Sequence, residues 1–199
     1  MAHSQAQTQQ KKEVILYIDG ENLLYKLEHI CKKQRPSAAI DLATASYTSF
    51  FHAILKETKP DRMIFYTAKI RQHPQTKEKS AELIKFQRKL RNTLVKQGFE
   101  FVIAGSVRGQ KVKQELVFKE KGVDVRIAVD MVSHACDGIT RTAIICSSDS
   151  DLQPAIREVR NRGVKVVYIG FSLKPNKGMR ATTNKTVLVD TKTVISCLQ

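Results

Sequence analysis

Val14-Ile15-Leu16-Tyr17-Ile18, followed at once by Asp19-Gly20, is the stretch on which the reading of the fold turns. Five apolar residues in unbroken succession describe a strand covered on both faces, as in a parallel sheet held between helix layers. The elements downstream repeat that logic. A helix is expected from Asn22 to about Lys32, with Leu23, Leu27 and Ile30 on one side, and a second from about Leu42 to Lys56. Arg62 to Tyr66 reads as the next strand. Ser80 is the expected N-cap of a helix running to about Gln97, with Leu83, Phe86, Leu90 and Leu94 as its apolar stripe and Gly98 ending it. Phe99 to Ala104 is a third strand, and residues 105–121 read as a basic loop or short hairpin beside the sheet.

A helix from Gly122 to about Ala135, a strand at Thr142–Cys146, a helix from Asp151 to Arg162 and a strand from Val164 to Ile169 continue the alternation. A polar basic stretch at 172–185, a short strand at Thr186–Val189 and a closing helix complete it. Strands separated by helices throughout predict a three-layer, Rossmann-like α/β domain. Its central sheet is mainly parallel, with about five to six strands and right-handed crossovers. Residues 1–12, polar and Gln-rich without an apolar core, are expected to be a disordered leader rather than a secretory signal. Residues 13–199 are then one domain.

The chain has 199 residues, 42% hydrophobic, with 9 glycines and 5 prolines, a globular composition long enough for a sizeable core. No run approaches the length of a membrane span, so a membrane partner is not expected. Four cysteines, Cys31, Cys136, Cys146 and Cys197, form no C-x-x-C pair and read as free thiols of a cytoplasmic protein. The net charge is +15. Residues 69–121 hold 14 basic and 5 acidic residues, and 157–185 hold 8 and 1, so the excess sits in two stretches while the remainder is near neutral. Such localisation fits a surface that meets phosphates. Lys85, Arg88 and Lys89, on the polar face of the Ser80–Gln97 helix, are candidate substrate contacts.

Chemistry in an open α/β sheet gathers at the carboxyl ends of its strands, at the switch point of the strand order. Asp19 follows the first strand directly, Asp149 and Asp151 follow the Thr142–Cys146 strand through Ser147 and Ser148, and Asp124 opens the helix feeding that strand. In the doubly wound order these two strands are neighbours, so the four carboxylates can converge. Four acids together repel unless a cation sits among them, and an all-oxygen donor set suits Mg²⁺ or Mn²⁺ rather than zinc. Each acid also has an ordinary structural use in a turn or as a helix cap. Asp130 lies about 120° around the helix from Asp124 and is expected to pair with a basic residue. Asn22 is close enough to Asp19 to orient a carboxylate or a water. Ser147 and Ser148, with neither a nearby His nor a G-x-S-x-G elbow, suit hydroxyl ligation or phosphate contact. Tyr66 and Phe171 are candidate platforms for stacking single-stranded bases.

Y-I-D-G-E-N at 17–22, K-G-V-D-V at 121–125 with Asp130 following, and S-S-D-S-D-L at 147–152, then R-G-V-K-V-V-Y-I-G at 162–170, together resemble the NYN domain family. The resemblance is to its LabA-like or DUF88 branch, within the PIN-like nuclease superfamily, and covers about residues 13–190. It implies a PIN-like fold and a metal-dependent ribonuclease. It assigns Asp19, Asn22, Asp124, Asp149 and Asp151 to the catalytic set, makes Lys121 a phosphate or carboxylate contact, and gives Asp130 a recurrent position. Ser148 stands where many members carry Gly or Asn.

The resulting expectation is an enzyme, a hydrolase that cuts RNA endonucleolytically through water activated at a carboxylate-bound ion. The substrate is single-stranded RNA, and a homodimer is compatible with the sequence. The competing class is a non-catalytic RNA-binding module, against which intact acids argue because they repel phosphate. A phosphohydrolase with an aspartyl nucleophile is disfavoured, since D-x-D-x-T is absent after the first strand.

Overall fold

The computed structural model describes residues 11–34, 40–72, 77–112 and 115–198. The expected leader, as far as residue 10, lies outside the described residues. β1 (Glu13–Asp19) leads into α1 (Gly20–Gln34) and α2 (Tyr47–Ile54), then β2 (Arg62–Lys69), α3 (Lys77–Lys96) and the hairpin β3 (Glu100–Val112) and β4 (Glu115–Lys121). α4 (Val123–Cys136), β5 (Thr140–Cys146), a 3₁₀ turn (Ser150–Leu152) and α5 (Gln153–Asn161) follow. β6 (Lys165–Phe171), α6 (Lys177–Thr182), β7 (Lys185–Val189) and α7 (Thr191–Cys197) complete the order.

Among the described residues the strands form one 7-stranded sheet in the order β4-β3-β2-β1-β5-β6-β7. β3, β2, β1, β5, β6 and β7 are mutually parallel across this order, and β4 alone runs antiparallel, at the edge. Leaving β4 aside, the order is the doubly wound one, with its switch point between β1 and β5. The three-layer α/β architecture follows from β1 itself. Val14, Leu16 and Ile18 enter one core, with α1, α2, α3 and α7, while Ile15 and Tyr17 enter the other, with α4 and α5. An apolar run without alternation is what a strand needs when both faces are covered.

Two glycines permit the close approaches that shape the carboxyl edge. A Cβ at Gly20 would fall 2.3 Å from the Phe65 ring and 2.6 Å from the Tyr66 carbonyl oxygen, so β1 can turn into α1 this close to β2 only without a side chain. Gly105, at φ +74°, brings the neck of the hairpin against Lys121, whose carbonyl oxygen would lie 2.0 Å from an added Cβ.

Residues 105–121 take the hairpin option, and Lys69 at the end of β2 pairs with Ser106. Beyond that point β3 pairs only with β4, from Val107↔Glu120 to Val112↔Glu115, so the ribbon rises past the carboxyl edge by roughly 20 Å. α3 departs from expectation in the same direction. Leu90 and Leu94 are buried, but Leu83 is 41% and Phe86 36% exposed. Gln87 explains this by hydrogen-bonding Thr67 Oγ1 and the Ala68 carbonyl, which sets that turn level with the end of β2. The preceding turns stand above the sheet, where no apolar surface is left to meet them. Ser80 is buried inside this helix rather than capping it. The Leu42–Lys56 segment narrows to α2, after a turn at residues 42–44.

Among the described residues, no helix is long and apolar enough to cross a membrane. All four cysteines are free thiols.

Gly20→Ala is expected to cost roughly 2–3 kcal/mol in denaturant unfolding, because the added methyl meets backbone as well as a ring. Gly98→Ala, where nothing lies within 4 Å and only the left-handed backbone resists, is expected to cost about 1 kcal/mol.

Candidate metal centre

Asp19 is the last residue of β1 and only 8% exposed. Both carboxylate oxygens are used: Oδ1 accepts from the Asn22 amide at 3.1 Å, and Oδ2 accepts from Ser147 Oγ at 2.8 Å. Ser147 Oγ in turn accepts from the Asp149 amide at 3.1 Å, and Asn22 Oδ1 accepts from the Ser148 amide at 3.2 Å. The loops after β1 and β5 are thus sewn together across the switch point by two hydrogen bonds, each braced by one within its own loop. From the far side, Asn176 Nδ2 donates to the Ser148 carbonyl at 2.8 Å, which ties the start of α6 to the same loop.

The remaining acids stand above this base. Asp124 lies in the first turn of α4, behind Gly122, whose φ of 94° closes the hairpin into the helix. Asp149 caps the 3₁₀ turn, its Oδ1 accepting from the Asp151 amide at 2.9 Å. Carboxylate oxygens of Asp124, Asp149 and Asp151 all lie within 4.8 Å of one another. Asp19 is outside this trio, although its carboxyl feels the Asp149 charge. Burial pushes the Asp19 carboxyl above its ordinary range, the Asn22 and Ser147 hydrogen bonds pull it back, and the Glu21 and Asp149 charges raise it.

The trio is all oxygen, half-buried at Asp124 and Asp149 and exposed at Asp151, so ligand positions stay open to water. That donor chemistry fits Mg²⁺ or Mn²⁺ and does not resemble a zinc site. The positive end of α4 and the amides of the 3₁₀ turn offset part of the mutual repulsion. Asp149 thus both caps the 3₁₀ turn and belongs to the trio.

Asp130 has a separate place. It accepts from Tyr66 Oη at 3.0 Å and from Arg126 Nε at 2.8 Å, which pins α4 to β2. The expected basic partner is Arg126, one turn away on the same helix. Tyr17 Oη and His134 Nδ1, 2.8 Å apart, make a second tie between α4 and the sheet. Neither tyrosine contact has a signature in residue spacing, because each joins residues more than 60 positions apart.

Lys121 ends β4, exposed, three residues before Asp124. Lys85 and Arg88 are exposed on α3, whereas Lys89 is engaged with Asp41 at 2.6 Å. Tyr66 and Phe171 are 0% and 3% exposed, which removes both as stacking platforms: each belongs to the core that holds the sheet. Asn176 escapes a reading of the sequence; its position as N-cap of α6 is a recognisable signal, but its reach to Ser148 is not.

The NYN domain family model matches residues 13–190 of the chain. A crystal structure of a Vibrio parahaemolyticus protein of unknown function is similar, with a TM-score of 0.60 and 19% identity, over 92% of this chain and 96% of that one. Its likeness bears on the fold. No curated protein matches the chain.

Two outcomes follow for stability. A raised carboxyl keeps more protons on the folded than on the unfolded chain above the ordinary value of 3.8, so this group's contribution falls as pH rises through that window. A neutral carboxamide in place of the Asp19 carboxylate would still accept from the Asn22 amide and could donate to Ser147 Oγ, removing the buried charge at the cost of the Ser147 hydroxyl's acceptor. Metal-free Asp19→Asn is therefore expected to melt roughly 2–4 °C above wild type near neutral pH, an advantage that shrinks below the ordinary value. Thermal melts across pH check this. Asp130→Ala, which strands the buried Tyr66 hydroxyl, is expected to cost about 2 kcal/mol and Tyr66→Phe about 1 kcal/mol, with the pair non-additive in a double-mutant cycle.

Proposed function

Because the chain belongs to the NYN domain family, within the PIN-like nuclease superfamily, we propose that it is a metal-dependent ribonuclease that hydrolyses single-stranded RNA endonucleolytically. The observation that carries this reading is the meeting of Asp124, Asp149 and Asp151 at the carboxyl edge of the sheet. A compact carboxylate trio in a protein of net charge +15 is poorly suited to hold phosphate by itself and well suited to hold a cation that does.

Asp124, Asp149 and Asp151 would hold Mg²⁺ or Mn²⁺, with Asp19 contributing a fourth negative charge from beneath. When bound, such an ion supplies activation of water and neutralisation of charge building on the phosphoryl group. The chain's own groups do the rest. Asn22 and Ser147 keep Asp19 and the loop after β5 in register. Ser148 presents its amide to Asn22 and offers its hydroxyl to the substrate. Lys121 meets a phosphate oxygen beside the trio, and Lys85 and Arg88 contact the strand farther out. Lys89, already paired with Asp41, contributes less.

The deciding experiment is cleavage of end-labelled single-stranded RNA with Mn²⁺, Mg²⁺ or EDTA, beside Asp149→Asn. Metal-dependent internal cuts that vanish in the variant are expected, and Mn²⁺ affinity by calorimetry is expected to weaken by at least roughly 10–100-fold. RNA binding without cleavage under either metal would identify a non-catalytic RNA-binding module instead.

A further inference from the structure

Of the two basic stretches, the cations of 157–185 have no place in the centre just described, to which the stretch is joined by Asn176. Its charges are nonetheless arranged in order. Asn176 is joined to Ser148 at the carboxyl edge, and α6 runs from there toward the amino edge, where Asn184 exchanges hydrogen bonds with Val166 and Arg160 Nη1 donates to the Thr182 carbonyl at 2.6 Å. Gly178 allows α6 to lie close against α5, since a Cβ there would come 2.7 Å from Gln153 Nε2. α6 itself covers about 9 Å, and with Asn176 before it and Thr183 and Asn184 after it the segment is a fixed strut from the acidic edge toward the opposite end of the sheet.

Cations follow the strut. Lys174, Lys177 and Arg180 are exposed along it. At its far end Arg157, Arg160, Asn161, Lys165 and Asn184 line a groove of about 710 Å³ whose lining includes no acid. Glu158 is the one acid between 153 and 189 in sequence, and it is engaged by Arg162. Among the described residues, none of Arg157, Lys165, Lys174, Lys177 and Arg180 has an ion-pair partner. Within the stretch, Arg162 and Lys185 are the cations that pair with carboxylates, the first with Glu158 and the second with Glu57. What distinguishes the row running from Lys177 and Arg180 to Arg157 and Lys165 is that the stretch holds no acid but the engaged Glu158 and is joined through Asn176 to the loop carrying Asp149 and Asp151.

We propose that this row is a phosphate track, along which an RNA strand engaged at the acidic edge passes over α6 into the groove between α5 and the start of β6. The proposal rests on the nuclease reading for its starting point and extends it to a footprint. The substrate is then a strand long enough to reach the opposite edge of the sheet, and affinity increases with length until the groove is occupied.

The test is binding of a fluorescein-labelled oligouridine of about 20 nucleotides in EDTA, by anisotropy over a salt series. Arg157→Gln with Lys165→Gln removes two charges from exposed side chains without ion pairs. Lys56→Gln with Lys59→Gln removes the same net charge from an exposed linker outside the track. The track pair is expected to weaken binding about 10-fold and to flatten the log–log salt slope by about 1.4, as two lost single-strand contacts require. The control pair is expected to change neither. Equal effects of the two pairs, or no effect of the track pair, would overturn the proposal, and so would failure of the wild type to bind. The cleavage assay decides the nuclease reading separately: binding that depends on the track without metal-dependent cleavage sinks that reading and leaves the track standing.

Discussion

Asp19 ends the central strand with a carboxylate that water barely reaches, held on one oxygen by the Asn22 amide and on the other by the Ser147 hydroxyl. The loop after β5 is positioned from it. Ser147 passes the constraint to the Asp149 amide, and Asn22 passes it to Ser148. Asp149 is thereby fixed in the extended conformation of a cap, and its side chain orders the turn that presents Asp151. A buried carboxyl pushed upward by desolvation contributes little to stability by itself. On the proposed reading its place would be explained by a positive ion bound nearby, because the same field that disfavours the bare charge favours its neutralisation.

α4 serves the site at both ends. Its first turn carries Asp124 toward the trio, and six residues on Asp130 locks the helix to β2 through Tyr66 while Arg126 balances the charge. Burial and the Asp130 charge hold the Tyr66 hydroxyl protonated far above the ordinary phenol range, so its role as donor is constant across working pH. The helix can neither rotate nor slide without breaking that bond or the Tyr17–His134 contact. Asp124 therefore reaches its neighbours from a rigid element, with little ordering left for the moment of ligand binding.

Charge is divided by depth. The acids occupy the middle of the carboxyl edge, and positive residues lie around it, on the upper turns of α3, at Lys121 where β4 meets α4, and down α6. Both α3 and the ribbon extend past the last strand pairing at Lys69↔Ser106. On the proposed reading, a strand of nucleic acid would be attracted by the periphery and would meet negative charge only at the centre, where a bound cation would reverse the sign.

Much of this was legible in residues 14–20. An unbroken apolar run ending in Asp-Gly specified a two-face-buried strand and put an acid at its carboxyl end, because burial on both faces leaves no polar position and the close turn at Phe65 leaves no room for a side chain at residue 20. Alternation of such runs with helices specified the layers, and the doubly wound order then brought Asp124, Asp149 and Asp151 within reach. The height of an element above the sheet edge was not legible. Leu83 and Phe86 carry the helical period of a buried stripe, yet Gln87 sets their turns above the core; periodicity records which face of a helix is apolar, not how far along its axis the partner surface extends. The contacts of Asp130 with Tyr66 and of Asn176 with Ser148 were decided by tertiary structure alone, since they join strand, helix and loop far apart in the chain. Local sequence determines which residues want burial, capping or water; which of them meet is set by register and packing, properties of the assembled sheet.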